Sequence, residues 1–351
     1  MVDFMNFENY SCDNQMSIFD FIRETISITK PIRLIELFAG YGSQAMALKR
    51  IGAKFEHYRV VEFDKYAIAS YNAVHGTDFP TMDITKVHAE DLNICNTETF
   101  TYLLTYSFPC TDLSIAGKQA GMSKGSGTRS GLLWEVERIL TEIRDSNGEL
   151  PQILFMENVP QVHSQDNMPD FIKWLDFLES LGYTNYYQDL NAKNYGVAQK
   201  RERCFMFSFL GECNYNFPQP IQLTKRIRDY QEKVVDNKFY VSDNALKGFA
   251  ERAKKQKEKR NGFHAVIKDV DDISSTITAR YCKDGSDCLI KVAGRIRKLT
   301  PRECGRLMGV SDEDIDKMAA VNSNTQLYKQ FGNSIVVDVM CAMFKNLNIN
   351  Q

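Results

Sequence analysis

Closely spaced cysteine pairs and metal-ligand clusters are missing from this sequence. Its nine cysteines are an odd number, no two of them form a Cys-x-x-Cys pair, and none of the five histidines has ligand spacing beside it. Neither a disulfide framework nor a zinc site is indicated, and this cysteine usage suits a reducing compartment. We therefore expect no metal in the functional site.

Long apolar runs are also missing. No uncharged apolar run is long enough to span a bilayer, and the first residues lack the basic and apolar segments of a secretory signal. We therefore expect a cytoplasmic protein without a membrane anchor. With 351 residues, 43% of them hydrophobic, the chain is long enough for one large core and a second, smaller lobe.

Charge is distributed unevenly along the chain. Residues 221–310 contain 21 Lys and Arg against 12 Asp and Glu, although the whole chain has a net charge of −2. A basic region of this kind is typical of proteins that bind a polyanion such as nucleic acid. Part of the surplus comes from Glu251–Arg260, which a solvated helix face would explain equally well.

A strand, a glycine-rich turn and a helix are predicted near the start of the chain. Ile32–Phe38 has the composition of a buried strand, Gly40 and Gly42 follow it, and Gln44–Ile51 is predicted to be helical. Such a turn lets backbone N–H groups approach a nucleotide at a helix N-terminus. An ordinary tight turn is the alternative interpretation.

Two further predicted strand ends bear carboxylates. The strand Tyr58–Glu62 ends in an acid where a ribose-binding carboxylate lies in dinucleotide folds, and Phe63 beside it could stack on a purine. A third predicted strand ends at Met82–Ile84, where Asp83 could accept the amino group of an adenine. Each acid alone is more often a solvated strand end, but together they favour an adenosyl cofactor.

A single cysteine lies where a nucleophile would be expected. The predicted strand Leu103–Ser107 runs into a proline turn that presents Cys110. A thiol just past the carboxyl end of a strand in an α/β sheet lies where such sheets bind ligands, so Cys110 is a candidate nucleophile. The alternative is a buried structural cysteine, because free cysteine packs well as a small apolar group.

Six short motifs follow one another along the chain: Phe38–Gly42, Ser107–Cys110, Glu157–Val159, Gln199–Arg203, Arg297–Glu303 and Gly332–Ser334. In this order they resemble the motifs of the cytosine-C5 DNA methyltransferases. The resemblance runs from about Ile32 to about Val339, which is most of the chain. Two positions depart from the family pattern: Thr111 stands where glutamine is usual, and Ser43 stands where a further glycine is common.

The resemblance implies an α/β protein with two parts. A Rossmann-like, S-adenosylmethionine-dependent methyltransferase domain would be joined to a smaller, basic target-recognition lobe. After an N-terminal extension of residues 1–30, residues 31–209 and 326–351 would form the catalytic domain, and residues 210–325 would form the recognition domain. A helix predicted at Arg297–Gly309 would support the recognition region.

The resemblance also implies roles for four catalytic side chains. The thiolate of Cys110 would add to carbon 6 of cytosine, so that carbon 5 could attack a sulfonium methyl group. Glu157, whose apolar setting should raise its pKa, would share a proton with the Watson–Crick edge of the ring. Arg203 would lie near O2 of the ring, and Arg201 would position the catalytic loop or a phosphate. Without the resemblance, both arginines would be surface residues before an edge strand at Cys204–Phe209.

Binding residues follow from the same resemblance. A glycine-rich loop at residues 117–131 would close over DNA, and the target base would be flipped out of the duplex. Residues 276–286 are the candidate for reading base edges, with an exposed β-hairpin as the alternative. The S-adenosylmethionine site would comprise Phe38, Gly40, Gly42, Glu62, Phe63, Asp83, Ile84, Pro109, Leu132, Asn333 and Ser334. The DNA contacts would comprise Ser114, Lys118, Arg129, Thr276, Thr278, Arg280, Tyr281 and Lys283.

Together, these observations predict a DNA (cytosine-5-)-methyltransferase of bacterial or phage type. It would act as a monomer on a specific short sequence of double-stranded DNA, with a cognate restriction endonuclease as a candidate partner in a restriction-modification system. Two alternatives stay open: an RNA cytosine methyltransferase, because a related branch keeps the same motifs, and a catalytically silent DNA-binding regulator. The silent regulator is disfavoured because Cys110 and Glu157 are both present.

Overall fold

The computed structural model describes residues 25–113, 121–258, 266–284 and 288–349. Most of the predicted N-terminal extension therefore lies outside the described residues. Within the part of the chain that is described, no helix is both long enough and apolar enough to cross a membrane.

A six-stranded sheet forms the centre of the protein. Its strands are β1 (Ile32–Leu37), β2 (Phe55–Val61), β3 (Thr101–Tyr106), β4 (Ile153–Asn158), β5 (Tyr183–Asn191) and β6 (Glu202–Leu210). Their order across the sheet is β2-β1-β3-β4-β6-β5, in which β1 to β4 run parallel and β6 runs antiparallel to both of its neighbours. The central strands β3 and β4 are buried along their whole length, as parallel strands covered on both faces should be. This architecture confirms the predicted α/β fold class.

Helices pack on both faces of this sheet, and the described residues contain eleven α-helices in all. They are α1 (Ser43–Arg50), α2 (Lys65–His75), α3 (Ala89–Leu92), α4 (Leu133–Asp145), α5 (Met168–Ser180), α6 (Asp243–Glu258), α7 (Tyr281–Asp284), α8 (Pro301–Leu307), α9 (Asp312–Val321), α10 (Asn324–Asn333) and α11 (Val337–Lys345). Adjacent strand residues point to opposite faces, so Leu103 packs in the apolar cluster with α1 and α11, whereas Leu104 packs in the cluster with α4 and α5. The helix predicted at Gln44–Ile51 is confirmed as α1.

The strand predicted to end at Met82–Ile84 is not formed. Asp83 instead begins a single turn of 3-10 helix at Ile84–Lys86, and its Oδ1 accepts hydrogen bonds from the backbone N–H and the hydroxyl of Thr85 at 3.1 and 2.8 Å. A short aspartate competes with strand pairing in this way, because its carboxylate satisfies local donors. The prediction of a third strand with a free carboxylate at its end was therefore wrong.

The strand that follows Arg203 is not an edge strand, which corrects the alternative interpretation of that segment. β6 lies between β4 and β5, with Cys204 opposite Asn158 on one side and opposite Asp189 on the other. The partly exposed edge strand is β5. The order of the strands along the chain could not show that β6 lies inside the sheet. β6 follows β5 in the chain, but it pairs with both β4 and β5 and so separates them.

A second, three-stranded sheet lies in the basic region of the chain. Its strands are β7 (Ile267–Asp269), β8 (Leu289–Val292) and β9 (Arg295–Lys298). The helix predicted at Arg297–Gly309 is shorter than expected, because Thr300 caps a helix that begins at Pro301. The alternative of a β-hairpin at residues 276–286 is not seen in the described part of that segment, which contains the short helix α7.

A buried ion pair joins the smaller sheet to α8. The Nη1 and Nη2 atoms of Arg297 each lie 2.7 Å from a carboxylate oxygen of Glu303, and the two side chains are 1% and 0% exposed. Glu303 also accepts the backbone N–H of Thr300 at 2.9 Å, which completes the helix cap. The two charges therefore pair with each other inside the protein through two hydrogen bonds, and they fix α8 against β9.

We predict that Arg297→Gln strongly destabilises the protein. Removing one partner of a buried pair leaves the other charge uncompensated, which costs about 3–5 kcal/mol of unfolding free energy. Urea denaturation of the purified protein measures this loss. The matched control is Lys317→Gln, which breaks an exposed pair with Glu313 and should leave the unfolding free energy almost unchanged. Equal losses for the two variants would contradict the prediction.

Candidate active site

The turn after β3 places Cys110 at the carboxyl end of the large sheet. β3 ends at Tyr106, and the chain then turns so that the N–H of Leu113 bonds to the carbonyl of Cys110 at 3.1 Å. The side-chain amide of Asn158, the last residue of β4, donates to the carbonyl of Phe108 at 3.0 Å. The half-buried thiol is therefore held beside the end of the neighbouring strand.

Glu157 of β4 and Arg203 of β6 form an ion pair close to this thiol. The Nε atom of Arg203 lies 3.2 Å from Oε1 of Glu157, and the side chains are 15% and 9% exposed. Burial raises the pKa of Glu157, and the Arg203 charge partly opposes this shift. Burial likewise raises the pKa of Cys110, with Arg203 again opposing it. Both acids therefore hold their protons more firmly than they would in water, and Arg203, with a smaller contribution from Arg201, favours either anion.

Arg201 is buried rather than on the surface. Its guanidinium donates to the carbonyls of Ile277, Gly332 and Ser334 at 2.9, 3.0 and 2.5 Å. Burial lowers the pKa of Arg201 to about 9. Arg201 therefore connects its own segment to the segment of Ile277 and to Gly332–Ser334. Because both of its Nη atoms already donate to carbonyls, this geometry does not favour the predicted contact with a phosphate.

The glycine-rich turn lies at the neighbouring strand end. Phe38, Gly40 and Gly42 have φ angles of 58°, 58° and 80°, so the backbone there is left-handed. The carboxylate of Glu62 accepts the N–H of Gly40 at 2.8 Å, and Phe63 next to it is 76% exposed. A Cβ atom built on Gly40 would meet no atom within 4 Å. An open turn, a carboxylate and an exposed aromatic ring suit an adenosyl group with its ribose hydroxyls.

Residues from distant segments adjoin this turn. α10 ends at Asn333, and the hydroxyl of the following Ser334 lies 2.5 Å from the hydroxyl of Ser43 at the start of α1. Leu132 packs, half-buried, against the same apolar cluster as Phe38. The structure thus brings several predicted cofactor-binding residues together from the two ends of the described chain.

Tyr281 does not reach the surface, so the prediction that it contacts DNA was wrong. It is fully buried, its hydroxyl donates to the carbonyl of Cys288 at 2.6 Å, and it accepts the N–H of Leu299 at 2.8 Å. A buried tyrosine requires partners for its hydroxyl, and the segments flanking the smaller sheet provide two. Tyr281 therefore supports the recognition segment from inside the protein.

The remaining predicted DNA contacts differ in their surroundings. Arg280 and Lys283 are exposed at α7, and Arg129 is exposed at the end of the glycine-rich loop. Ser114 and Lys118 lie outside the described residues. Among the predicted DNA contacts, the side chains of Arg129, Arg280 and Lys283 are therefore accessible to a polyanion.

The predicted recognition segment is attached to the active site by its backbone. The hydroxyl of Thr276 donates to the carbonyl of Lys200 at 2.5 Å. Gly332 packs directly on Thr278 and Ala279, and a Cβ added to this glycine would lie 2.1 Å from the backbone nitrogen of Ala279. Only glycine permits this close approach, so the motif at Gly332 holds the recognition segment against the reaction site.

A buried chain of polar side chains under the glycine turn was not predicted. Tyr71 of α2 donates from its hydroxyl to Oε2 of Glu36 in β1 at 2.5 Å, and Nδ1 of His57 lies 2.7 Å from the same hydroxyl. A Cβ added to Gly42 would lie 2.3 Å from Nε2 of His75 and 2.7 Å from the Tyr71 ring. These side chains support the turn from below. No spacing in the sequence indicated them, because they come from three different elements.

Three potential metal ligands also lie together, although their spacing in the sequence gave no sign of it. Ligand atoms of His163, Asp189 and Cys204 lie within 4.8 Å of one another. His163 Nε2 is 2.9 Å from an oxygen of Asp189, and this contact raises the pKa of His163. The carboxylate and the imidazole thus satisfy each other as a hydrogen-bonded pair.

Glu36 should make stability depend on pH. Burial raises its pKa from 4.5 to about 7. The unfolded chain therefore releases this proton first as pH rises, so the free energy of unfolding falls between about pH 4.5 and pH 7, by about 3 kcal/mol from this group. We predict that Glu36→Gln removes this component of the slope in urea denaturation at pH 5 and pH 8. An unchanged slope in Glu36→Gln would contradict the prediction.

Comparisons with known sequences identify similar proteins. The family described as C-5 cytosine-specific DNA methylase matches residues 32–348. The Type II methyltransferase M2.ScrFI of Lactococcus lactis subsp. cremoris is 33% identical and covers 91% of this chain and 100% of its own. The Type II methyltransferase M.HhaI of Haemophilus parahaemolyticus is 32% identical, and the alignment covers 88% of this chain and 92% of the relative. The orphan methyltransferase M.SssI of Spiroplasma monobiae is 30% identical, and the alignment covers 91% of this chain and 98% of the relative.

The structure also resembles solved structures. The Dnmt2 methyltransferase of S. pombe aligns with a TM-score of 0.70 at 20% identity, covering 91% of this chain and 98% of its own. The methyltransferase EhMeth of Entamoeba histolytica aligns with a TM-score of 0.70 at 17% identity and the same coverage. Because the sequence identities are only 20% and 17%, this structural similarity supports the fold and does not identify the substrate.

Proposed function

This chain belongs to the C-5 cytosine-specific DNA methylase family, and we propose that Cys110, Glu157 and Arg203 carry out its reaction. The chain is a DNA (cytosine-5-)-methyltransferase, so its reaction must make carbon 5 of cytosine nucleophilic. The observation that carries the proposal is the grouping of a thiol, a buried carboxyl group and a guanidinium at the ends of β3, β4 and β6. These are the groups that the chemistry requires.

Cys110 acts as the nucleophile. Burial favours its neutral thiol, so the thiol must pass its proton to solvent water as the target base enters, and the charge of Arg203 stabilises the resulting thiolate. The sulfur bonds to carbon 6 of the ring, while the π electrons of the C5–C6 bond move to carbon 5 and the conjugated ring edge. This step turns carbon 5 into a nucleophile.

Glu157 stabilises the charge that the attack creates. Burial raises its pKa and so favours uptake of a proton, which Glu157 would donate to or share with N3 of the ring while Arg203 approaches the oxygen O2. Once carbon 5 has gained the methyl group, it loses its own proton to a solvent base, which restores the C5–C6 double bond and expels the sulfur of Cys110 as a thiolate. N3 returns its proton to Glu157, and the thiolate takes a proton from solvent. The enzyme thereby returns to its starting state.

S-adenosylmethionine is the proposed cofactor, and when bound it supplies an electrophilic sulfonium methyl group. Glu62 would bind the ribose hydroxyls, Phe63 would stack on the adenine, and the glycine turn would admit the cofactor close to the backbone. The carboxylate of Asp83 already caps a local turn, so an adenine contact would have to share it. The other proposed residues are Phe38, Gly40, Gly42, Ile84, Pro109, Leu132, Asn333 and Ser334.

Double-stranded DNA is the proposed partner. We propose that residues 31–209 and 326–351 form the catalytic domain and that the basic residues 210–325 recognise a specific short sequence. The target cytosine would be flipped out of the duplex, because a base within the stack cannot be reached by the thiol. A monomer would suffice for this reaction, and a cognate restriction endonuclease is a proposed partner because several relatives carry Type II names.

The decisive experiment is bisulfite sequencing of a plasmid incubated with the purified protein and S-adenosylmethionine, beside the Cys110→Ser variant. We expect protected cytosines in one repeated sequence context for the wild type and none for the variant, because oxygen is a much weaker nucleophile than a thiolate here. Methylation of transfer RNA without methylation of DNA would favour an RNA substrate. DNA binding without any methyl transfer would favour a silent regulator.

A covalent intermediate makes a second prediction. Fluorine at carbon 5 cannot leave as a proton does, so duplex DNA with 5-fluorocytosine at the target position should trap the enzyme as an adduct that survives denaturation. Gel electrophoresis in denaturant detects this adduct, and Cys110→Ser should form none. An enzyme that methylates ordinary DNA yet forms no adduct would refute the role of Cys110.

A further inference from the structure

Ser130 forms hydrogen bonds on both sides of Cys110. Its hydroxyl donates to the carbonyl of Pro109 at 2.8 Å and accepts the backbone N–H of Asp112 at 3.2 Å. Ser130 is completely buried, and Asp112 is 8% exposed. The short stretch of backbone that carries the thiol is therefore attached, before and after Cys110, to one side chain from a later part of the chain.

Asp112 makes the reciprocal contacts. Its Oδ2 atom accepts the backbone N–H groups of Arg129 and Ser130 at 2.8 and 3.3 Å. Its backbone carbonyl accepts the N–H of Gly121 at 3.1 Å. Hydrogen bonds to a carboxylate are stronger than those between neutral groups, and these are shielded from water by burial. The turn with Cys110 and the start of the segment leading into α4 thus form one hydrogen-bonded unit.

This unit differs from the contacts already assigned to the reaction. Neither side chain has a place in the proposed chemistry, and the hydrogen bonds end on backbone groups rather than on the thiol. Asn158 supports the same turn from the other side through the carbonyl of Phe108. The path of the backbone at Cys110 is therefore determined from two directions, by β4 and by the pair formed by Asp112 and Ser130.

We propose that Ser130 and Asp112 are positioning residues that hold the backbone of Cys110 in the orientation required for attack on carbon 6. The proposal rests on the assigned role of Cys110 as the nucleophile. A productive attack requires the reacting atoms at about 3–3.5 Å with aligned orbitals, and a displacement of about 1 Å costs roughly 100-fold in rate. Loss of the unit should therefore slow bond formation while the cofactor still binds.

The test is the rate of adduct formation on duplex DNA that carries 5-fluorocytosine at the target position, measured in a single turnover with saturating S-adenosylmethionine. We expect Ser130→Ala and Asp112→Ala to slow the adduct roughly 10- to 100-fold, while the Kd for S-adenosylmethionine changes less than about twofold. Asp112→Asn keeps an acceptor oxygen and should recover most of the wild-type rate. A merely structural role would not give this rescue together with unchanged cofactor binding.

The matched control is Ser208→Ala, because Ser208 is equally buried and its hydroxyl has no hydrogen-bond partner among the described residues. Its adduct rate should equal that of the wild type. A rate for Ser130→Ala within twofold of wild type would overturn the proposal, as would a parallel loss of cofactor binding. If Ser130→Ala does not fold, the pair Asp112→Ala and Asp112→Asn decides by itself, and equal rates for the two would overturn the proposal.

The same experiment separates this proposal from the proposed function. A wild-type enzyme that methylates DNA but forms no adduct would refute the role of Cys110, and with it the basis of the positioning role. A normal adduct in the wild type, together with an unaffected Ser130→Ala variant, would refute the positioning role alone.

Discussion

The burial of Arg201 is the constraint on which the rest of the structure depends. Its guanidinium is 3% exposed and binds the carbonyls of Ile277, Gly332 and Ser334. A buried charge is tolerated only while its hydrogen-bonding partners remain in place, so the segments around Ile277 and at Gly332–Ser334 cannot separate from the segment of Arg201 without a large cost in free energy. Since β6 begins at the next residue, the contact that joins the segments also determines where Arg203 lies.

The electrostatics of the site link activation of the thiol to the arrival of the substrate. Burial raises the pKa of both Cys110 and Glu157, and the positive charges of Arg203 and, more weakly, Arg201 oppose both shifts. Before a base enters, the thiol is thus largely neutral and protected from side reactions that require a thiolate. In the proposed reaction, Arg203 lies where its charge can stabilise both the sulfur anion and the developing negative charge on the ring.

Predictions from the sequence succeeded where one local pattern decides the structure. The strand β1, the glycine turn and α1 follow each other in the chain, so composition and spacing were sufficient to identify them. Predictions failed where a local contact competed with a distant one: Asp83 capped its own turn instead of ending a strand. Tyr281 looked like a polar contact for DNA, but the smaller sheet, whose strands come from separated segments, enclosed it.

The sequence by itself determined the α/β class, the identity of the candidate nucleophile and the resemblance of the chain to a family of enzymes. These properties depend on periodicity and on short motifs, which can be read along the chain. Only the tertiary structure decided that β6 lies inside the sheet, that Arg201 is buried, and that Ser130 and Asp112 hold the turn at Cys110. The physical reason is that a hydrogen bond between distant segments depends on the direction and depth of each side chain. Those properties arise only when the sheet has formed and its strands have been placed side by side.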